Sequence, residues 1–233
     1  MTTIASNLQA VRAAMAAAAV AARRLPDEVV LLAVSKTFAP EAIRAAYAAG
    51  QVRFAESYVQ EALHKIAALH DLSIEWHFIG PIQGNKTRAI AEHFAWVLSV
   101  GRLKIAARLS EQRPAHLPPL QICLQVNISG EASKSGVAPD DAVQLAREVA
   151  LLPRLKLRGL MAIPAPGDDV EAQRGAFARL RGLLEQLNGQ GLQLDTLSMG
   201  MSDDFRAAIA EGATMVRVGS AIFGTRDYSG KNI

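Results

Sequence analysis

The chain has 233 residues, half of them hydrophobic, which suits one large domain or two small ones with a sizeable core. Its net charge is +3, and its 25 basic residues are scattered without a lysine and arginine block, which disfavours a nucleic-acid-binding surface. The single cysteine, Cys123, cannot form a disulfide within this sequence and fits a reducing cytoplasm. Cys123 lies in an apolar run, so we expect a small buried hydrophobe.

The N-terminal stretch Ala13–Ala22 is short and apolar, but its flanks argue against a signal peptide. Arg12 precedes it, and Arg23 and Arg24 follow it, which is not the order of a secretory signal. The stretch is also too short to cross a bilayer, so no membrane is expected as a partner. Apolar residues recur here at helical spacing and predict an amphipathic helix that covers one face or end of the domain: Ile4, Leu8, Val11, Met15 and Ala19.

Strand-like and helix-like segments then alternate to the end of the chain. The strand-like segments are Val29–Ser35, Val52–Ala55, Glu75–Ile79, Trp96–Val100, Leu120–Ile128, Leu157–Ala162, Thr196–Met199 and Met215–Val218. The helix-like segments that follow them in turn are Glu41–Ala49, Tyr58–His70, Lys86–His93, Leu103–Gln112, Asp140–Leu152, Glu171–Asn188, Asp203–Glu211 and the short Ala221–Phe223.

This alternation predicts parallel strands joined by crossover helices. Eight such units in a chain of this length predict an α/β fold, a closed (β/α)8 TIM barrel with an additional N-terminal helix, as a single domain over residues 1–233. An open doubly wound sheet is the alternative. No Gly-x-Gly-x-x-Gly motif follows the first strand, which argues against that alternative.

Lys36 stands where the first apolar strand gives way to a loop. An amine at the lip of a crevice loses hydration, so its neutral, nucleophilic form becomes more accessible. Neutral lysine attacks aldehydes to form imines. The alternative is a strand-end lysine that only extends its charged end into solvent.

The loops after the seventh and eighth strands have the composition of a phosphate site. Barrel enzymes often bind phosphate with these two loops and a short helix that follows. Gly200 and Gly219 let the backbone approach an anion, and Ser198, Ser202 and Ser220 offer hydroxyl donors. Barrel closure makes the eighth strand a neighbour of the first, so this site is expected beside the strand-end lysine.

Arg217 alternates with Val216 and Val218, which places it inside the barrel if the two valines face the outer helices. A buried guanidinium stays charged and needs a partner. One candidate is the pyridine nitrogen of a bound cofactor, which Arg217 would keep unprotonated. The other is Glu56, in an internal salt bridge.

Other polar residues have plainer interpretations. Ser202 could simply cap a helix that begins at Asp203. His77 lies within a strand and is expected to be a hydrogen-bonded core residue. No metal site is expected, because the remaining histidines show no ligand spacing with one another or with the cysteine: His64, His70, His93 and His116.

Taken together, the motifs resemble those of the pyridoxal phosphate homeostasis proteins, single-barrel relatives of the alanine racemase N-terminal domain. They cover nearly the whole chain: LLAVSKT at residues 31–37, WHFIGPIQGNK at 76–86, NIS at 127–129, SKSG at 133–136, RGLM at 158–161, LSMGMSDD at 197–204 and VRVGSAIFG at 216–224. The resemblance implies that Lys36 carries pyridoxal 5'-phosphate as an internal aldimine. It also implies that Ser198, Gly219 and Ser220 hold the phosphate and that Arg217 faces the pyridine nitrogen.

The resemblance further implies cofactor contacts from Ser57, Met161 and Gly200. Members of this family bind the cofactor and influence its intracellular supply without established turnover, and apo-enzymes that use the cofactor are candidate partners. Two positions depart from the family pattern. Ser57 stands where the family usually has asparagine, which shortens one cofactor contact. Phe38 stands where many bacterial members have a second lysine, so a relay of the aldehyde to a neighbouring amine is lost there.

Two enzymatic alternatives have weaker support. An amino-acid racemase needs an acid or base on each face of the substrate carbon. We expect no second β-domain to supply it, and the three tyrosines Tyr47, Tyr58 and Tyr228 fall on helices or in the tail. A Schiff-base aldolase would need a basic residue from the sixth strand, where only Arg158 is firmly placed. The sequence therefore predicts a non-enzymatic, monomeric, cytoplasmic cofactor-binding protein with a pocket open to solvent.

Overall fold

The computed structural model of the chain describes residues 3–131, 135–164 and 170–225. Eight parallel strands close a barrel in sequence order, with the first strand beside the eighth. The strands are β1 Val30–Val34, β2 Arg53–Glu56, β3 Glu75–Phe78, β4 Trp96–Val100, β5 Leu120–Gln125, β6 Leu155–Met161, β7 Thr196–Ser198 and β8 Met215–Val218. The predicted (β/α)8 barrel is confirmed.

Helices surround the barrel and one more precedes it. They are α1 Ile4–Ala21, α2 Pro40–Ala48, α3 Val59–Ala68, α4 Thr87–His93, α5 Leu103–Gln112, α6 Pro139–Ala150, α7 Val170–Gly189, α8 Phe205–Ala210 and α9 Ser220–Phe223. Short 3-10 turns at Pro26–Glu28 and Gly84–Lys86 precede β1 and α4. Proline at the first position of α2 and α6 starts both helices, because its fixed φ is already helical and its missing N–H would lack a partner there.

The predicted element boundaries agree with the structure to within two residues except at β5. That strand was predicted to reach Ile128 but ends at Gln125, because Val126 forms an isolated bridge with Val137 from the loop before α6. The helix predicted to begin at Asp203 begins at Phe205 instead. The βα loop predicted at Ile163–Asp168 lies partly outside the described residues.

The side chains on the two faces of the strands form two layers of hydrophobic core. Side chains that alternate inward fill the barrel interior, and they are Leu32, Val34, Ala55, Trp96, Leu98, Cys123, Met161 and Met215. Val216 and Val218 belong to the other layer, which packs the strands against the helices. Cys123 is fully buried, as predicted, and burial raises the pKa of its thiol, so it stays protonated and packs as a hydrophobe.

Helix α1 packs across α8 and α9 and lies against one end of α2. Its buried face consists of Leu8, Val11, Met15 and Ala19, so the predicted amphipathic helix is confirmed. Asn7 donates a hydrogen bond from Nδ2 to the carbonyl oxygen of Ile222 at 3.0 Å, which ties α1 to α9.

The apolar stretch Ala13–Ala22, predicted to be too short to cross a membrane, lies within or at the end of the longer helix α1. By length and composition alone, the 18 residues of α1 are enough for a membrane span. A helix that packs on the core of a domain passes the same test, and α1 buries one face against its neighbours.

The packing of α1 predicts a position-dependent loss of stability. Leu8 is fully buried, so Leu8→Ala should lower the free energy of unfolding by about 2–5 kcal/mol through lost apolar contact and a residual cavity. Val20 on the same helix is 64% exposed, and Val20→Ala should change the free energy of unfolding by less than about 0.5 kcal/mol. Urea denaturation followed by circular dichroism measures both. Equal effects of the two substitutions would contradict the described orientation of α1.

Candidate functional site

A pocket of about 240 Å³ opens at the C-terminal ends of the barrel strands. Six of the eight residues predicted to bind the cofactor line it: Lys36, Ser57, Met161, Arg217, Gly219 and Ser220. The rest of its lining is Val34, Ile79, Ile163, Met201, Ser202 and Asp203. One amine, one guanidinium, one carboxylate, three hydroxyls and an apolar wall surround the space, and its two basic groups suit a small, partly apolar anion.

Lys36 reaches this pocket because of the pairing of β1 with β8. Leu32 is opposite Arg217 and Ala33 is opposite Val218 in the parallel register of the two strands. The residues that follow each strand, Lys36 on one side and Gly219 on the other, therefore emerge side by side at the mouth. Lys36 is half-buried in the lining of the pocket, which disfavours the alternative of a lysine extended freely into solvent.

Arg217 forms the polar floor of the pocket and is 4% exposed. Its Nη1 donates to the carbonyl oxygen of Ser198 at 2.7 Å, and its Nη2 donates to the carbonyl oxygen of Ala162 at 2.9 Å. Within the described ranges it forms no ion pair, so the predicted alternative of a salt bridge to Glu56 is wrong. Burial lowers the pKa of Arg217 to about 10, and the Asp204 carboxylate opposes this shift, so the guanidinium stays charged at neutral pH.

Two predicted cofactor-binding residues, Ser198 and Gly200, are not part of the pocket lining. The Ser198 hydroxyl accepts a hydrogen bond from Nη1 of Arg217 at 2.9 Å and is fully buried. Gly200 has φ +91°, and a Cβ added there would lie 2.6 Å from Cβ of Ala208, so only glycine lets this loop pass so close to α8. The structure places both residues where they support the floor and the loop, and their contact with a cofactor stays a prediction.

The loops after β7 and β8 meet at one side of the pocket. The hydroxyls of Ser202 and Ser220 lie 3.4 Å apart, which joins the two loops. The backbone N–H groups of Ser220 and Ala221, at the start of α9, form no hydrogen bond within the part of the chain that the structure describes. Such amides are donors for an anion. Asp204, and not Ser202, immediately precedes α8, so the interpretation of Ser202 as a helix cap is wrong.

The backbone beside Lys36 is held by charged groups, of which the sequence suggested only Glu56, and with a different partner. Ser35 donates from its hydroxyl to Oε1 of Glu56 at 2.6 Å. Nζ of Lys65 donates to the Ser35 carbonyl at 2.8 Å and to a carboxylate oxygen of Glu56 at 2.7 Å. Burial raises the pKa of Glu56, and the Lys65 ammonium opposes that shift. A signal was present in the sequence: Lys65 falls on the buried face of α3, with Val59 and Ala62.

The two departures from the family pattern follow β1 and β2, and of the two only Ser57 lines the pocket. Ser57 lines the pocket directly after β2, and the β3 loop approaches its backbone closely, since a Cβ on Gly80 would lie 2.1 Å from the Ser57 carbonyl oxygen. The Phe38 ring packs against that of Phe223 with centroids 5.0 Å apart, which connects the loop after β1 to α9.

The other candidates lie away from the pocket. His77 is fully buried, contacts Glu75 through Nε2 at 2.8 Å and stacks on Trp96, and burial lowers the pKa of its ring, so it is the predicted core residue. Arg158 pairs with Asp195 at 2.6 Å toward the opposite end of the barrel, so β6 gives the pocket no basic residue from that position. Across residues 3–131, 135–164 and 170–225, no group of three or more His, Cys, Asp or Glu side chains could hold a metal ion.

The chain is similar to known proteins along almost its whole length. The family model described as alanine racemase, N-terminal domain, matches residues 3–227. A pyridoxal phosphate homeostasis protein of Pseudomonas aeruginosa is 65% identical over 228 residues, 98% of each chain. One of Escherichia coli is 52% identical over 234 residues, 99% of this chain and all of that one.

A solved structure agrees. PipY of Synechococcus elongatus, solved with PLP bound, is 38% identical with a TM-score of 0.84, covering 95% of this chain and all of that one. The match to these proteins in sequence, length and barrel geometry shows that the chain belongs to the family of pyridoxal phosphate homeostasis proteins, which is built on the alanine racemase N-terminal domain.

Proposed function

We propose that this protein binds pyridoxal 5'-phosphate in the pocket at the barrel mouth and contributes to the intracellular homeostasis of that cofactor. The observation that carries the proposal is the convergence of Lys36, Arg217 and the loops after β7 and β8 on one small pocket. Its relatives are named for pyridoxal phosphate homeostasis, and PipY was solved with PLP bound, which supports the same ligand here.

The residues present fit the cofactor at both of its ends. The cofactor supplies an aldehyde carbon, with which an amine condenses to a C=N bond and releases one water molecule. Lys36 provides that amine. The hydroxyls of Ser202 and Ser220 and the first amides of α9 provide donors for a phosphate. Arg217 provides a cationic hydrogen-bond donor for a ring nitrogen, held in place by its bonds to the Ser198 and Ala162 carbonyls.

We propose further that the protein does not turn over amino acids. Racemisation needs proton donors and acceptors on both faces of the substrate carbon. Tyr47 and Tyr58 do not line the pocket, and Tyr228 lies outside the described residues. The titratable side chains that line it are Lys36, Asp203 and Arg217, and Arg217 keeps the ring a weak electron sink.

An accessible mouth suits a carrier or buffer of the cofactor. Ser220 and Met201 at the rim are exposed, so an external amine or another protein can approach the pocket. We propose a cytoplasmic monomer that exchanges its cofactor with free amines and with apo-enzymes that need it. A site open to water also fails to exclude solvent from a reacting carbon, which is consistent with the absence of turnover in this proposal.

Covalent attachment at Lys36 has a direct test. Wild-type protein incubated with pyridoxal 5'-phosphate should show the absorption band of an imine, and borohydride reduction should fix the cofactor mass on the peptide that contains Lys36. Lys36→Ala should lose the band, whereas Lys156→Ala, at the other end of β6, should keep it. Labelling found only on Lys134 or Lys231, both outside the described residues, would refute the assignment.

The position of the phosphate has a separate test. Ser220→Glu should weaken binding of pyridoxal 5'-phosphate by roughly 2–4 kcal/mol, because a carboxylate repels the phosphate and a hydroxyl donor is lost. Ser73→Glu makes the same charge change at an exposed position before β3 and should leave affinity unaltered. Titration followed by absorbance measures both. Equal affinity of the wild type for pyridoxal lacking the phosphate would argue against a phosphate site.

The absence of turnover is checked by chiral analysis of alanine. Protein loaded with the cofactor and incubated with L-alanine should show slow exchange at the cofactor, because an external amine can enter, but no accumulation of D-alanine beyond the amount of protein. The control is the Lys36→Ala protein treated in the same way. Many turnovers in the wild type that disappear in Lys36→Ala would establish a racemase.

A further inference from the structure

The two peptide groups on either side of Lys36 are both tied to one buried cluster. Ser35, on one side, is fully buried, and its carbonyl oxygen accepts from Nζ of Lys65 at 2.8 Å. Thr37, on the other side, donates its backbone N–H to Oε1 of Glu61 at 2.5 Å. Nζ of Lys65 also donates to that same Oε1 of Glu61, at 2.7 Å. One ammonium thus connects the backbone before and after Lys36.

Lys65 is held tightly because its charge is buried. It is 2% exposed, and its three acceptors are the Ser35 carbonyl and the carboxylates of Glu56 and Glu61, at 2.7–2.8 Å. A buried ammonium is tolerated only when such partners replace its water. Glu56 is itself fully buried, while the side chain of Glu61 is 18% exposed. The ammonium therefore has a fixed position relative to β1, β2 and α3.

Thr37 shows that this arrangement constrains the backbone. Its φ is +72°, in the left-handed region that a β-branched residue rarely adopts. Such a conformation costs on the order of 1–3 kcal/mol and persists where surrounding contacts hold it. The hydrogen bond from its N–H to Glu61 is one such contact, and it sets the direction in which the chain leaves β1 immediately after Lys36.

We propose that Lys65 and Glu61 are positioning residues for Lys36: together they clamp the backbone on both sides of it so that its amine is presented to the pocket. The proposal rests on the function proposed above, the attachment of the cofactor at Lys36. A fixed backbone at Lys36 favours attachment, because less conformational freedom is lost when the amine of its long side chain is brought to the bound aldehyde. Neither residue lines the pocket, so neither acts on the cofactor directly.

The test compares two substitutions at one position. Glu61→Gln keeps a side-chain oxygen for the Thr37 N–H, whereas Glu61→Ala removes the acceptor. Gln51→Ala is the matched control for stability, because buried Gln51 bonds through Nε2 to the Leu31 and Arg53 carbonyls, nearer the opposite end of β1. Three quantities are measured on the full chain: the hydrogen-exchange rate of the Thr37 amide without cofactor, the affinity for pyridoxal 5'-phosphate, and the melting temperature.

Glu61→Ala should speed exchange of the Thr37 amide by at least about tenfold and weaken cofactor binding roughly 10- to 100-fold, as expected for the loss of a hydrogen bond to a charged acceptor. Glu61→Gln should keep both within about threefold of the wild type. Gln51→Ala should lower the melting temperature without changing the affinity or the exchange at Thr37. This pattern would separate positioning of Lys36 from a general contribution to stability.

Two results would contradict the proposal that Lys65 and Glu61 clamp the backbone at Lys36. One is unchanged exchange at Thr37 in Glu61→Ala. The other is an equal loss of affinity in Glu61→Ala and in Gln51→Ala at equal melting temperature, which would mean that the cluster only stabilises the barrel. A wild type that attaches no cofactor at Lys36 would instead refute the proposed function, and the exchange rate of Thr37 would still decide whether Glu61 holds the backbone.

Discussion

The pairing of β1 with β8 is the contact on which the candidate site depends. It closes the barrel, and its register places Leu32 opposite Arg217. Without this closure, Lys36 after β1 and the loop after β8, where the phosphate site is proposed, would lie at opposite edges of a sheet. With it, residues from the two ends of the barrel sequence, such as Lys36 and Ser220, line one pocket, and other strands supply the rest of the wall. The site is therefore a consequence of the topology as much as of its individual residues.

Two buried cations are stabilised in different ways, and the difference matters for the pocket. The ammonium of Lys65 is neutralised by the carboxylates of Glu56 and Glu61. Arg217 is held instead by neutral carbonyl and hydroxyl oxygens, so its charge remains uncompensated by direct contact. Burial strengthens electrostatic interactions. An anion in the pocket therefore meets the cationic groups of Arg217 and Lys36, which line it together with Asp203, while Lys65 contacts the backbone of the site.

Much of this could be predicted from sequence because it follows from periodicity. The alternation of strands and helices predicted the barrel. The valines on either side of Arg217 predicted that the Arg217 side chain points into the barrel. The Lys65–Glu61 contact was missed because i,i+4 charges on a helix usually mark a solvated face, although Lys65 shares the buried face of α3 with Val59 and Ala62. The end of β5 was missed for a similar reason. Its apolar pattern continues to Ile128, but the bridge to Val137 is a long-range pairing.

The residue at position 38 makes a contact between the loop after β1 and α9 that a lysine there would not make. Where many members of the family have a second lysine, Phe38 packs on Phe223, three residues after Ser220. The aromatic contact packs the loop after β1 against α9, in a place where a lysine would have added a second amine. In the proposed function, attachment and release of the cofactor then depend on Lys36, the lysine that lines the pocket. The control of that single amine then falls to the groups that fix its backbone and to whatever amine enters through the open side of the pocket.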